Sequence, residues 1–156
     1  MNWWNQFPPA LKIITKIRLL ASIGAGGVIN LTPLVFNQIS FSATEISRGI
    51  AAAAFVGAFA RFFCGWLLDK GIRSSWPIRW AACFAILADL LLFNAKTTGA
   101  YISGQLLMGL AAGFYWPAVE TAVPLCCSTY PSSRGFALVR SADALGICIG
   151  ALMGTI

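Results

Sequence analysis

Five nearly unbroken apolar stretches, each about as long as a bilayer is thick, account for most of this 156-residue chain. They run from about Ile17 to Phe36, Ile46 to Leu68, Trp76 to Ala95, Ala100 to Cys126 and Gly135 to Ile156. An α-helix rises ~1.5 Å per residue, so roughly 20 apolar residues carry it across the hydrocarbon core. Lipid offers backbone N–H and C=O groups no partner, and a run of this length satisfies them internally only as a helix. The turns between the stretches are too short to hold a soluble domain. The sequence therefore predicts an all-α membrane protein, a polytopic helical bundle of five transmembrane helices. It forms one transmembrane helical domain over residues 1–156, with the lipid bilayer as its surroundings.

Hydrophobic residues make up 58% of the chain and charged residues 10%, against ~25% charged in a soluble domain. The net charge of +6 would suggest nucleic acid in a soluble protein. In a membrane protein basic residues mark the cytoplasmic loops instead, and no nucleic-acid partner is expected. With the N-terminus cytoplasmic, Lys12, Lys16, Arg18, Lys70, Arg73, Arg79 and Arg134 fall inside, and Arg48 and Lys96 outside. That asymmetry predicts a multi-pass protein of a cytoplasmic (inner or plasma) membrane with its N-terminus in the cytoplasm. The first apolar stretch is long for a signal peptide and reads as an uncleaved span, although Ala21 to Gly27 resembles a cleavage region. Trp3, Trp4 and Phe7 are placed to rest at the interface.

The five cysteines form no CxxC pair and the chain has no histidine. Zinc, haem and redox motifs are therefore absent, and neither a metal nor a cofactor is expected. Nor is there a Ser/Lys or paired-Asp arrangement, so the chain offers no catalytic residues and is not expected to be an enzyme. The thiols read as small packing groups.

Local signals organise the spans. Pro33 predicts a kink in the first, and Ser42 or Thr44 is placed to cap the second. Ala51 to Ala54, Gly57, Ala58, Ala60, Cys64 and Gly65 line the second helix with small residues. Gly146, Gly150 and Gly154 form a stripe at a spacing of four on the fifth. Small side chains let helix backbones approach closely in lipid, so both are helix-packing surfaces.

Few polar residues interrupt the spans. A charge at the bilayer centre costs roughly 2.5–3.5 kcal/mol on the insertion scale, so each needs a partner or a wet cavity. Arg61 either faces a central cavity and attracts an anionic group, or pairs with Glu120 or Asp143, or snorkels to the nearby helix end. Arg140 and Asp143, three residues apart, pair as a structural salt bridge or leave Asp143 as a proton-coupling or gating carboxylate. Glu120 shares a face with Gln105, Gly109, Gly113 and Trp116, a row suited to a substrate path, unless it is simply solvated at the interface. Asp89, set among leucines, reads as a buried, protonated carboxyl, an interhelical hydrogen bond or a transport residue. Asn30 is a cavity donor or helix-to-helix glue. Asn30, Arg61, Glu120, Arg140 and Asp143 are thus the substrate or cavity candidates.

At the end of the second span, GWLLDKGIR (Gly65 to Arg73) resembles the signature loop of the major facilitator superfamily, with Gly65, Leu67, Asp69, Lys70 and Arg73 on the pattern. The loop glycine stands one place early, at Gly71, with Ile72 where glycine is usual. YPSSRGFAL (Tyr130 to Leu138) resembles the family's link between its fourth and fifth helices. Two further family motifs match poorly. Gln105 stands where drug exporters carry an arginine four residues before Gly109, and Ala151 and Thr155 replace the proline and a glycine of the antiporter motif.

The resemblance implies a partial N-terminal half of the major facilitator fold, the first five of twelve helices. It reads as an incomplete six-helix half whose C-terminal half is missing, from a truncated frame, a fragment gene or a split protein. It implies a secondary active transporter, a permease of small solutes working by alternating access. The substrate would be a small molecule or ion, with proton coupling an open option. The signature loop, Gly65, Asp69, Lys70 and Arg73, would gate the cytoplasmic face, and a comparable arginine in the family's nitrate/nitrite porters gives Arg61 a substrate-contact role. The alternative is a non-transporting membrane scaffold that recruits partners through its glycine-rich helix faces.

Overall fold

The computed structural model describes residues 3–127 and 130–154. Thr155 and Ile156, where the last predicted span ends, lie outside the described residues. After a 3-10 turn at Trp3–Gln6 come five α-helices: α1 (Pro9–Gln38), α2 (Ala43–Asp69), α3 (Ser75–Phe93), α4 (Thr98–Leu125) and α5 (Ser132–Met153). All five are long and apolar enough to cross a membrane, and no strand occurs among the described residues. The protein is an all-helical, multi-pass membrane protein, as its apolar runs require.

Four helices match their predicted spans to within a few residues. The first begins eight residues earlier than expected. Pro9 opens it, a position where a missing N–H is harmless and a fixed φ is already helical. Lys12, Lys16 and Arg18 lower local hydropathy without opposing helix formation. Helix α1 continues through Pro33 to Gln38. Ser42, rather than Thr44, caps α2. Its hydroxyl accepts from the Glu45 N–H at 3.3 Å while the Glu45 carboxylate accepts from the Ser42 N–H at 2.9 Å, a reciprocal capping box.

The helices fall into two compact units, residues 1–38 with 122–156 and residues 39–121. In the first, α1 and α5 lie backbone to backbone. A side chain at Gly146 would place its Cβ 2.6 Å from the Leu19 carbonyl oxygen, and one at Gly154 would meet the Leu31 side chain at 2.8 Å. Both numbers rise together, so α1 and α5 run parallel. Phe7, Leu11, Val123, Cys127, Leu138 and Val139 form an apolar cluster in this unit. Phe7 is buried in that cluster, whereas Trp3 is exposed.

In the second unit α2 and α4 also run parallel. The Tyr101 hydroxyl donates to the Ile46 carbonyl at 3.1 Å, and the Cys64 thiol to the Phe114 carbonyl at 3.4 Å. Between these, a Cβ on Gly57 would lie 3.2 Å from the Gly109 carbonyl oxygen. Helix α3 runs against α4: Gly104 abuts Leu92, while Phe84 packs tilted and Trp80 edge-on against Phe114, with centroids 5.9 and 5.8 Å away. Within each unit, odd-numbered helices run with odd and even with even, as short connections across one bilayer demand.

The turn from α2 to α3 closes as a Schellman motif. The Ile72 N–H donates to the Leu67 carbonyl at 3.2 Å and the Gly71 N–H to the Leu68 carbonyl at 2.9 Å, with Gly71 at φ +85°. This left-handed position is where glycine is favoured, so the early glycine of the sequence pattern closes the turn itself. Gly71→Ala is expected to destabilise the fold by about 1–2 kcal/mol through the Cβ clash, read as a lower detergent melting temperature. Gly99→Ala, with open space around its Cα, serves as the control.

Candidate functional site

The first unit contains one acidic residue, Asp143, against five basic ones. Asp143 is therefore the only carboxylate from that unit available to a buried cation, and the structure places one beside it. Arg18 is 1% exposed, and its Nη2 donates to Asp143 Oδ2 at 3.3 Å. The Ser22 hydroxyl, one turn further along α1, donates to Oδ1 at 2.5 Å. Arg140, one turn before Asp143 on α5, brings Nη1 to 3.9 Å from the same Oδ2, with its side chain 58% exposed. One carboxylate thus stands between a buried guanidinium on α1 and a largely exposed one on its own helix.

The local sequence explains the placement. Arg18 and Ser22 are four apart, hence on one face of α1. Asp143 lies one turn before Gly146 on the glycine face of α5 that meets α1. Close backbone approach brings short polar groups within hydrogen-bonding distance, and a charge-assisted pair with a hydroxyl on the second oxygen compensates their desolvation.

Sequence reading had the Arg140–Asp143 pair but not its principal partner. Arg18 counted there among the cytoplasmic-side basic residues. The structure adds that Arg18 is buried in the α1–α5 seam and paired there with Asp143. The signal was present in the Arg18/Ser22 spacing opposite a glycine-flanked aspartate, but the two halves are 125 residues apart.

The other candidates are dispersed. Asn30 is exposed and donates to the Gly26 carbonyl of its own helix at 2.8 Å. Arg61 is exposed on α2. Its backbone N would lie 3.2 Å from a Cβ on Gly113, and Glu120 stands seven residues further along α4, about 10 Å of helix rise. The structure does not join Arg61 to Glu120.

Glu120 is half-buried, and Gln105 is buried. Gly109 and Gly113 of the same row abut the α2 backbone at Ala53 and Gly57. At those glycines the row expected to line a substrate path is a helix-packing seam. Asp89 is exposed beside the exposed Ile86, Leu90 and Phe93, which corrects its expected burial. Asp69 and Arg73 are exposed, and Lys70 places Nζ 3.9 Å from the centroid of the Trp66 ring, a cation–π contact. Gly65 is half-buried, and a Cβ there would meet nothing. No group of metal-ligating side chains occurs among the described residues.

No protein-family model matches the chain, and no solved structure matches it. Over 154 residues it is 25% identical to "Multidrug resistance protein 1" of Bacillus subtilis (strain 168), an alignment covering 92% of this chain and 37% of that protein. The chain thus spans little more than a third of the length of this relative.

Proposed function

We propose that this chain is the amino-terminal portion of a membrane transporter of the major facilitator type, moving small solutes across a cytoplasmic membrane by alternating access. The observation that carries this reading is the alignment of nearly the whole chain with little more than a third of a multidrug resistance protein. It agrees with the resemblance of the α2–α3 turn to that family's signature loop, a turn that closes as a Schellman motif. In this reading the N-terminus is cytoplasmic and the α2–α3 turn lies in the cytosol. Asp69, Lys70 and Arg73 gate that face, while Arg61, Asn30, Glu120, Arg140 and Asp143 supply the polar groups of the pathway. Arg18 joins them as the partner of Asp143.

The scaffold alternative drew on the glycine stripe of α5, and that stripe is covered by α1 of the same chain at Leu19, Ile23, Gly27 and Leu31. It is not free to recruit another helix, which favours the transporter reading.

Two measurements test it. Cysteines introduced at Ser74 and Ser133 are expected to react with an impermeant maleimide in inside-out vesicles and not in intact cells. In everted vesicles carrying the chain with whatever is encoded in frame beyond it, accumulation of a fluorescent lipophilic cation is expected, falling at least tenfold with Asp69→Asn. Dye movement equal to that of vesicles without the protein overturns the proposal.

A further inference from the structure

The contact between α1 and α5 is largely backbone against backbone. Gly146 rests on Leu19, Ser22 and Ile23, Gly150 on Ile23 and Gly27, and Gly26 on Ile147. Interlocking side chains ordinarily decide how far one helix is slid along another, and the middle of this seam has few. The glycines of α5 recur every fourth residue. Sliding α5 by one turn, about 5.4 Å, toward the C-terminal end of α1 would carry Gly146 to the place Gly150 now occupies against Gly27. Packing at the glycines therefore discriminates weakly between two neighbouring registers.

The polar groups discriminate between them strongly. In the observed register Asp143 accepts from both Arg18 and Ser22. After a one-turn slide it would leave Arg18 a full turn behind inside the seam, while Arg140, on the same helix as Asp143, would travel with it. We infer that the Arg18–Ser22–Asp143 cluster is the register key of the α1–α5 pair: the glycine seam brings the helices together, and the buried ion pair selects where along it they stop. Specifying register is the best-attested use of a buried charged or polar group. The inference concerns assembly of the helix pair and does not depend on the transport reading.

Disulfide trapping in native membranes tests it, in the full chain with its five native cysteines replaced by alanine. The pair Leu31→Cys with Gly154→Cys reports the observed register, since a Cβ on Gly154 falls against the Leu31 side chain. The pair Val35→Cys with Gly154→Cys reports the one-turn slide. A disulfide needs Cα atoms within about 7 Å, so each pair reads one register. With the native charges only the first pair is expected to cross-link.

With Arg18→Leu and Asp143→Leu together, which remove both charges of the pair, the second pair is expected to gain at least a fivefold yield. The swap Arg18→Asp with Asp143→Arg is expected to restore the native pattern, and Arg140→Ala to leave it unchanged. An unchanged native pattern in the double-leucine variant, or the loss of both cross-links, overturns the inference. The first outcome would assign register to packing, and the second would make the cluster an adhesive rather than a key.

Discussion

Arg18→Ala is expected to destabilise the protein by about 3–5 kcal/mol, the range seen when one member of a buried ion pair is removed and the other stays behind. The magnitude follows from burial. Arg18 is 1% exposed, and Asp143 is the one acidic residue of its unit. Truncating the arginine leaves a carboxylate deep in the α1–α5 seam, supported by Ser22 and by the more distant Arg140. Arg140→Ala removes a contact at 3.9 Å from a 58% exposed side chain, and an exposed pair contributes about 0–1 kcal/mol. Arg18→Leu with Asp143→Leu removes both charges together, so no charge stays behind uncompensated, and it is expected to cost less than Arg18→Ala alone. Reversible unfolding in mixed SDS micelles, followed by helicity, measures all three. A loss with Arg18→Ala no larger than that with Arg140→Ala contradicts the assignment of Arg18 as the principal partner.

That pair also marks where sequence reasoning stopped. The spans were legible because lipid makes one demand, about 20 apolar residues in a helix, and length with hydropathy answers it. A cap for α2 was legible as Ser42 or Thr44 because capping acts within one turn, and the structure takes Ser42, with Glu45 as its reciprocal partner. Which face of each helix is buried was much less so. In water the large apolar side chains mark the buried face. In lipid they do not, because lipid tails are as apolar as a protein core. Helix α3 shows the inversion: Pro77, Ala81 and Ala88 are buried while Ile86, Leu87, Leu90, Leu91 and Phe93 are exposed. Small residues identify the seams, so Gly109 and Gly113, read as part of a substrate path, turned out to be packing surface. The partner of Arg18 was hidden for a different reason. The position of Arg18 near the start of an apolar run matches a cytoplasmic-side charge, and what draws it into the seam is a carboxylate more than a hundred residues later.

The same inversion makes the glycines of the two seams the most sensitive small residues in the chain. Gly150→Ala and Gly109→Ala are each expected to lower stability by about 1–3 kcal/mol, the usual range for overpacking, and Gly150→Leu to separate α1 from α5 altogether. The Cβ of an alanine at position 150 would fall on the Ile23 carbonyl oxygen and 2.8 Å from the Gly27 N, and one at position 109 on the Ala53 carbonyl oxygen. Backbone atoms cannot rotate aside as a flexible side chain can, so the helices themselves must move apart. Gly24 and Gly65 are helical glycines with nothing within 4 Å of their Cβ positions. There alanine meets no obstacle and brings its better helix propensity, about 1 kcal/mol over glycine. One chemical change made at four helical positions is thus expected to divide by sign, destabilising at the seams and neutral or stabilising away from them. Detergent melting curves of the four alanine variants measure the division. Equal losses at all four positions would mean that glycine is retained for backbone flexibility, and that close approach of α1 to α5, and of α2 to α4, is not what holds each unit's own helices together.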